Sequence, residues 1–288
     1  NYPLSIIHSQ FPPEVPMRFA FCNEMFENQP LDRACAVARN LGYHGVEIAP
    51  FTLAKRADAL SPDQRRETRR IVEEAGLEVV GLHWLLAGVE GLHATTPDEA
   101  VWTRTRDYVR ALVDLNHDLG GRVLVFGSPK QRSLTCGQTG EYAWGRLRDL
   151  FAALLDHAQA AGSVFCLEPL SPAETDFLNT VGEAQRMVRE LDHPALRVHL
   201  DVKAMASEAQ PIGDVIRQVT ADEVGHVHVN DANLYGPGMG EVDYAPIAAA
   251  LDAIGWDRWL SVEVFKYDPD PETIARKSIE YLRRFWKA

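Results

Sequence analysis

Leu196-Arg-Val-His-Leu-Asp201 is a short apolar run that ends on a carboxylate, and it is one of four such runs in the second half of the chain. β-Branched and aromatic residues are frequent in these runs, as is typical of buried strands. Roughly 30 residues separate one run from the next, which is enough for the helix and loops of a βαβ unit. The other runs are Ser163–Glu168, His226–Asp231 and Trp259–Glu263, and the polar residues at or near the four ends are Glu168, Asp201, His228 and Glu263.

Strand-like and helix-like patterns alternate along the whole chain, which predicts an α/β fold with a parallel sheet. The first half adds four predicted strands, and eight strands in all predict a single (β/α)8 TIM barrel domain over residues 1–288. These four strands are Met17–Cys22, Gly45–Ala49, Glu78–His83 and Arg122–Gly127. Helices are predicted near 31–41, 61–75, 98–119, 141–161, 181–191, 211–220, 244–254 and 271–286.

Composition narrows the class of protein. Apolar residues make up 46% of the 288 residues, and no stretch approaches the ~20 consecutive apolar residues that span a membrane. The net charge of −12 disfavours nucleic acid as a partner. The first residues, Asn1–His8, lack the pattern of a secretory signal, and the four cysteines have no CxxC spacing, so a cytoplasmic location is expected.

The four strand-end residues predict a metal site. Three carboxylates and one imidazole form a hard, oxygen-rich ligand set, for which Mn²⁺ is the first choice and Mg²⁺, Co²⁺ or Zn²⁺ are alternatives. A divalent cation could acidify the carbon between a carbonyl and a hydroxyl by stabilising an enediolate, as sugar isomerisation or epimerisation requires. Glu168 and Glu263 are the candidate proton carriers. His226 and His228 share a strand face, so periodicity alone leaves the identity of the ligand open.

Several motifs resemble those of the sugar phosphate isomerase/epimerase group of xylose isomerase-like TIM barrels, which includes the ketose 3-epimerases and is related to endonuclease IV. The motifs are Leu167–Leu170, His199–Asp201, His226–Asp231, Val262–Val264 and Gly236–Glu241. This resemblance implies that Glu168, Asp201, His228 and Glu263 bind the cation and that the two glutamates exchange protons with the substrate. It favours His228 over His226 as the ligand. Ala204 and Leu234 stand where ketose 3-epimerases have a His and an Arg that bind substrate, so the resemblance implies no particular sugar.

Substrate contacts are predicted from residues at the same rim. His83 is the first candidate, and Lys130 is paired with Arg132 as a potential anion site. The full predicted set is His83, Trp84, Lys203, Asp231, Lys130 and Glu47.

The leading hypothesis is a metal-dependent isomerase or epimerase of a sugar or polyol derivative, with homo-oligomerisation expected by analogy. The first alternative is a lyase or dehydratase acting on a keto-inositol or 3-keto-glycoside, which would begin with the same enolate. A non-catalytic sugar-binding protein is a further alternative. An AP-endonuclease-like phosphodiesterase is disfavoured by Ala204 and by the acidic charge.

Overall fold

The computed structural model describes residues 17–26, 29–135 and 137–287. Within these ranges eight parallel strands form a closed barrel in which each strand pairs with its neighbours in sequence and the last pairs with the first. The predicted (β/α)8 TIM barrel is confirmed, and each predicted strand end lies within two residues of an observed one. The strands are β1 Arg18–Cys22, β2 Gly45–Ile48, β3 Glu78–Leu82, β4 Val123–Phe126, β5 Val164–Leu167, β6 Leu196–Asp201, β7 Val224–Val229 and β8 Trp259–Val262.

The α-helices of the described chain follow the predicted pattern, but the helices predicted over 211–220 and 271–286 end early, at Ile216 and Leu282, and two further differences occur. The predicted helix over 141–161 is two helices, and two helices of four residues each were not predicted because one turn shows no periodicity. The helices are α1 Leu31–Leu41, α2 Pro50–Leu53, α3 Pro62–Glu74, α4 Glu99–Leu119, α5 Gly140–Ala152, α6 Leu155–Ala160, α7 Val181–Leu191, α8 Val202–Met205, α9 Ile212–Ile216, α10 Tyr244–Ile254 and α11 Pro271–Leu282.

Two apolar clusters hold the barrel together. The larger one includes Phe126, Phe151 and Phe165, whose rings pack edge to face at centroid distances of 5.2 and 5.6 Å. The smaller cluster contains residues of β1, β3, β4, β5 and β8: Ala20, Val80, Val123, Val125, Cys166 and Trp259. Cys166 therefore packs as a small hydrophobe.

Strand register brings the polar residues of β6, β7 and β8 side by side. Asp201 pairs with His228, and His199 pairs with His226 two residues earlier along the same strands. Because side chains two apart in a strand share a face, these pairs lie on the same side of the sheet. The register between β6 and β7 shifts between Val198 and His199, which is the kind of irregularity that re-aims side chains near a site.

Some sequence-based expectations concern residues outside this description. Asn1–His8 and Cys136 lie outside the described residues. Among the described cysteines, Cys22, Cys35 and Cys166 are free thiols. No helix in the described part of the chain has the length and apolar character needed to cross a membrane.

Candidate functional site

The four predicted ligands lie at the carboxyl ends of four successive strands. Glu168 directly follows β5, Asp201 ends β6, His228 is in β7 and Glu263 directly follows β8. All four are buried. Potential ligand atoms of Glu168, Asp201 and His228, together with one of His199, lie within 4.8 Å of one another. Glu263 is outside that set but touches it, because its Oε2 lies 3.2 Å from His228 Nδ1.

Asp201 is held by two hydrogen bonds at the start of α8. Its Oδ1 accepts from the Ala204 backbone N–H at 2.7 Å, and its Oδ2 accepts from Asn230 Nδ2 at 2.6 Å. Asn230 Oδ1 in turn accepts from the Lys203 backbone N–H at 2.7 Å. Asn230 therefore fixes both the carboxylate of Asp201 and the turn that carries Lys203.

Glu47 orients His228. Its two carboxylate oxygens accept from Nε2 of His228 at 3.0 Å and from Nε2 of His226 at 2.7 Å. Burial alone would raise the pKa of Glu47, but His228 and His226 hold it well below the usual range. With Nε2–H donated to Glu47, the other ring nitrogen of His228 is left to face Glu263, which is the arrangement that commonly prepares a histidine for a metal.

The pKa values of the two glutamates shift in opposite directions. Burial raises the pKa of Glu168 well above its usual range, and the charges of Glu263 and Asp201 add to the increase. Burial would also raise the pKa of Glu263, but His228 outweighs it and the pKa falls to about 2. Three carboxylates enclosed in one site repel each other, and a bound cation would offset that repulsion.

The donor atoms at this site fit a divalent cation. Neither His228 Nδ1 nor Glu263 Oε2 has a hydrogen-bond partner among the described residues, although both atoms are buried. Their separation of 3.2 Å is close to the roughly 3.0 Å expected for adjacent ligands of a six-coordinate ion. The residues present therefore suit a hard divalent cation.

A cavity of about 340 Å³ opens beside these residues. Trp84 forms part of its wall, donates from Nε1 to Glu263 Oε1 at 2.7 Å and lies 5.9 Å from the Phe265 ring. Lys203 donates to Glu174 Oε1 at 2.7 Å, and its ammonium lies 3.9 Å from the centre of the Phe265 ring. The lining comprises Trp84, Ala87, Gly88, Ser128, Pro129, Lys130, Gln131, Glu168, Leu170, Glu174, Lys203, Glu263 and Phe265.

The predicted substrate contacts divide into two groups. Trp84, Lys130 and Lys203 line the cavity. In contrast, Glu47, His83 and Asp231 are buried away from the lining. Their role as substrate contacts stays a prediction, and each has partners within the protein.

The partners of these three buried residues are other side chains and the backbone. Glu47 is occupied by the two histidines described above. His83 Nε2 pairs with Glu24 Oε2 at 2.7 Å, and both residues are buried. Asp231 Oδ2 accepts from the Val242 N–H at 3.1 Å and so anchors the loop after β7.

Arg132, which the sequence suggested as an anion contact, is completely buried. It donates to the backbone carbonyls of Glu168 at 2.5 Å and Leu178 at 3.2 Å. Because its guanidinium is enclosed, burial lowers its pKa to about 10. Arg132 therefore supports the segment that follows β5 and offers no charge to the cavity.

Sequence analysis missed three residues of the site. His199 could have been found, since it is two positions before Asp201 and so shares its strand face. Glu174 and Phe265 carry no such signal, because their places depend on loops that meet Lys203 from distant parts of the chain.

Comparisons with known proteins agree with the barrel fold. A family model described as xylose isomerase-like TIM barrel matches residues 35–285. The L-ribulose 3-epimerase of Mesorhizobium japonicum is 28% identical over 192 residues, which are 67% of this chain and 64% of that protein. The D-psicose 3-epimerase of Ruminiclostridium cellulolyticum is 31% identical over 159 residues, which are 55% of this chain and 53% of that protein. The matches thus span less than two thirds of the length of both curated relatives.

A solved structure gives the same fold. The crystal structure of a D-psicose 3-epimerase in the presence of D-fructose superimposes with a TM-score of 0.81, covering 93% of this chain and 99% of that chain. Its sequence identity is 18%, so the likeness concerns the fold.

Proposed function

The chain belongs to the xylose isomerase-like TIM barrel family, and on that premise we propose that it is a divalent-metal-dependent sugar epimerase. The reaction would remove a proton from the carbon between a carbonyl and a hydroxyl and return a proton to the opposite face. Such chemistry needs two proton carriers around one substrate carbon.

The observation that carries this proposal is that two carboxylates, Glu168 and Glu263, line the same cavity. They come from the ends of β5 and β8, and their side chains are 9% and 3% exposed. Carboxylates in an enclosed cavity can exchange protons with a bound molecule while bulk water is excluded. We assign one glutamate to removal of the proton and the other to its return.

Glu168, Asp201 and His228 would hold the cation, with Glu263 as the fourth candidate ligand. A bound divalent ion would polarise the substrate carbonyl and stabilise the enediolate formed when the proton leaves. Mn²⁺ is the proposed ion, since carboxylate oxygens suit hard cations and the imidazole adds a nitrogen donor.

The proposed substrates are ketoses and related keto sugars, the class of compound after which the L-ribulose 3-epimerase and the D-psicose 3-epimerase are named. Trp84 offers an aromatic face for the sugar ring or chain. Lys203, held by Glu174 and Phe265, offers donors to a carbonyl or hydroxyl oxygen. Lys130 stands at the exposed edge of the same cavity.

The test is turnover of a ketose panel by Glu168→Gln and Glu263→Gln in the presence of Mn²⁺. Each variant should keep its fold and lose about 10²- to 10⁴-fold in kcat, because an amide cannot carry the proton. Glu90→Gln, at an exposed position, is the matched control and should retain full turnover. Full turnover by both active-site variants would rule out the proposed proton carriers.

A further inference from the structure

Trp84 has a backbone conformation that side chains of its size rarely adopt. It follows the end of β3 by two positions, and its φ of 51° lies in the left-handed region. This region is uncommon for any residue with a Cβ atom and is least favourable for a bulky one. Such strain persists only where the surrounding structure enforces it, and it is frequent at functional positions. The contacts of Trp84 indicate what the strain serves.

Packing and hydrogen bonding fix the orientation of the indole ring. The centre of the ring lies 6.0 Å from that of Phe51 and 5.9 Å from that of Phe265. The backbone carbonyl of Trp84 accepts a hydrogen bond from the Ala87 N–H at 3.0 Å. Both the ring and the turn that carries it are therefore held in place.

The indole N–H points at one oxygen of a proposed proton carrier. Trp84 Nε1 donates to Glu263 Oε1 at 2.7 Å, which is at the short end of the range for an N–H and a carboxylate. The other oxygen, Glu263 Oε2, lies 3.2 Å from His228 Nδ1 and has no hydrogen-bond partner among the described residues. One oxygen is thus held by the cavity wall, and the other faces the proposed cation site.

This division suits a carboxylate that has two tasks. Glu263 Oε2 is left to the cation, beside the ring nitrogen of another candidate ligand. Oε1 has a second lone pair besides the one that accepts from Trp84, and this lone pair can take up or return the substrate proton. The terminal torsion of a glutamate is soft, so without the indole N–H the carboxylate could turn away from both tasks.

We propose that Trp84 is a positioning residue for Glu263: its indole N–H holds Oε1 in the orientation that proton transfer requires and leaves Oε2 to the cation. The inference rests on the proposed function and deepens it. It gives Trp84 a role beyond the aromatic face that it offers to a sugar, and it accounts for a bulky side chain at a strained backbone position.

Steady-state kinetics of Trp84→Phe and Trp84→Leu separate the two roles of the indole. Phe keeps the aromatic face without the N–H, so kcat per bound Mn²⁺ should fall about 10- to 100-fold while KM stays within about threefold. Leu removes the aromatic face as well and should also raise KM. Both replacements carry a Cβ atom, as Trp does, so the left-handed backbone is no new obstacle to folding.

Trp144→Phe is the matched control. Trp144 Nε1 also donates to a carboxylate, Glu190 Oε2 at 2.8 Å, but neither residue lines the cavity. This variant loses the same kind of hydrogen bond at a different place. It should therefore turn over like the wild type.

NMR can detect the hydrogen bond without turnover. In protein labelled with ¹⁵N at its six tryptophans, the indole N–H signal that disappears in Trp84→Phe belongs to Trp84. Of all the indole signals, this one should change most in Glu263→Gln, because a hydrogen bond to a charged acceptor becomes a weaker one to a neutral acceptor. The signal of Trp144 should keep its position. Full turnover by Trp84→Phe, or a Trp84 signal that Glu263→Gln leaves unchanged, would overturn the assignment.

Failure of this inference can be told apart from failure of the proposed function. A wild type that epimerises no sugar, but whose Trp84 signal changes in Glu263→Gln, would refute the function and keep Trp84 as the residue that orients Glu263. A wild type that epimerises a sugar no faster than Trp84→Phe does would keep the function and refute the role of Trp84.

Discussion

At the scale of single residues, the site depends on small features that keep its carboxylates in place. The backbone carbonyl of Glu168 accepts a hydrogen bond from Arg132, and its carboxylate lies directly against the backbone of Gly127. A Cβ atom at residue 127 would lie 1.9 Å from Glu168 Oε2. The absence of a side chain at Gly127 is therefore what allows the carboxylate its position.

Gly127→Ala should impair turnover far more than stability. The new methyl group would push the end of the Glu168 side chain aside, and a displacement of about 1 Å can cost about 100-fold in rate. The free energy of unfolding should fall by only about 1–3 kcal/mol. Steady-state kinetics and urea unfolding measure the two effects. Gly145→Ala is the control, since a Cβ there meets nothing within 4 Å, and equal loss of activity in both variants would refute the explanation.

Glu47→Gln should weaken metal binding without touching the cavity. The amide offers one oxygen and one NH₂ group to two imidazole nitrogens, so one of the hydrogen bonds to His226 and His228 is lost. Loss of a partner that orients a ligand typically costs 10- to 100-fold in metal affinity. Titration with Mn²⁺ checks this, with Glu90→Gln as the exposed control. Unchanged affinity would mean that Glu47 does not orient His228.

Individual site residues were predictable where they ended an apolar run. Glu168, Asp201, His228 and Glu263 could be recognised because a polar side chain after a strand-like segment stands out. Glu47 was noticed for the same reason, but its burial between two histidines depends on closure of the barrel. Glu174 could not be identified, since its contact with Lys203 joins two loops that no local pattern connects.

At the scale of elements, strands and long helices were predicted well because each has a period that repeats several times. Helices α1, α7 and α10 have the predicted bounds. The helix predicted over 141–161 is interrupted at Ala153 and Leu154, although its apolar residues continue the pattern on both sides. The sequence at the interruption contains neither Gly nor Pro, and so offered no signal of a break.

The connection between β1 and β2 should make stability depend on pH. His44 Nδ1 accepts a hydrogen bond from the Phe19 N–H at 3.1 Å, which requires that nitrogen to be unprotonated. Burial, followed by the charges of Arg283 and Arg39, lowers the pKa of His44. The unfolded chain therefore binds the proton first, so this contribution is complete above about pH 6.5 and is lost as the pH falls towards the folded pKa.

His44→Gln should reduce that dependence, because an amide oxygen can accept the same hydrogen bond without titrating. Urea unfolding at about pH 7.5 and about pH 5 should show a smaller loss of unfolding free energy in the variant than in the wild type. Equal losses in the two proteins would contradict a role for His44.

At the scale of the whole molecule, the closed barrel explains why residues from across the sequence meet. Glu47 and His228 are 181 positions apart, yet Nε2 and Oε1 lie 3.0 Å from each other. The alternation of strand-like and helix-like segments in the sequence predicted this barrel, and it predicted that the site lies at the carboxyl ends of the strands. It could not predict which layer of the interior each inward side chain occupies, because that depends on register and on the shift between β6 and β7.

Metal binding should stabilise the folded protein. A cation at about 100 times its Kd would add about 2.7 kcal/mol, which for a chain of this size corresponds to roughly 4–5 °C in Tm. Calorimetry with Mn²⁺ should show this increase, and EDTA should reverse it. His228→Gln should show little of the shift, and an equal shift in that variant would place the ion elsewhere.

The most direct test of epimerisation is solvent exchange. The Mn²⁺-loaded protein, incubated with keto sugars in D₂O and followed by NMR and mass spectrometry, should place one deuterium on the carbon beside the carbonyl. It should also yield the epimer of at least one sugar. A product that has lost water, or sugar that binds without exchange at that carbon, would contradict the proposed function.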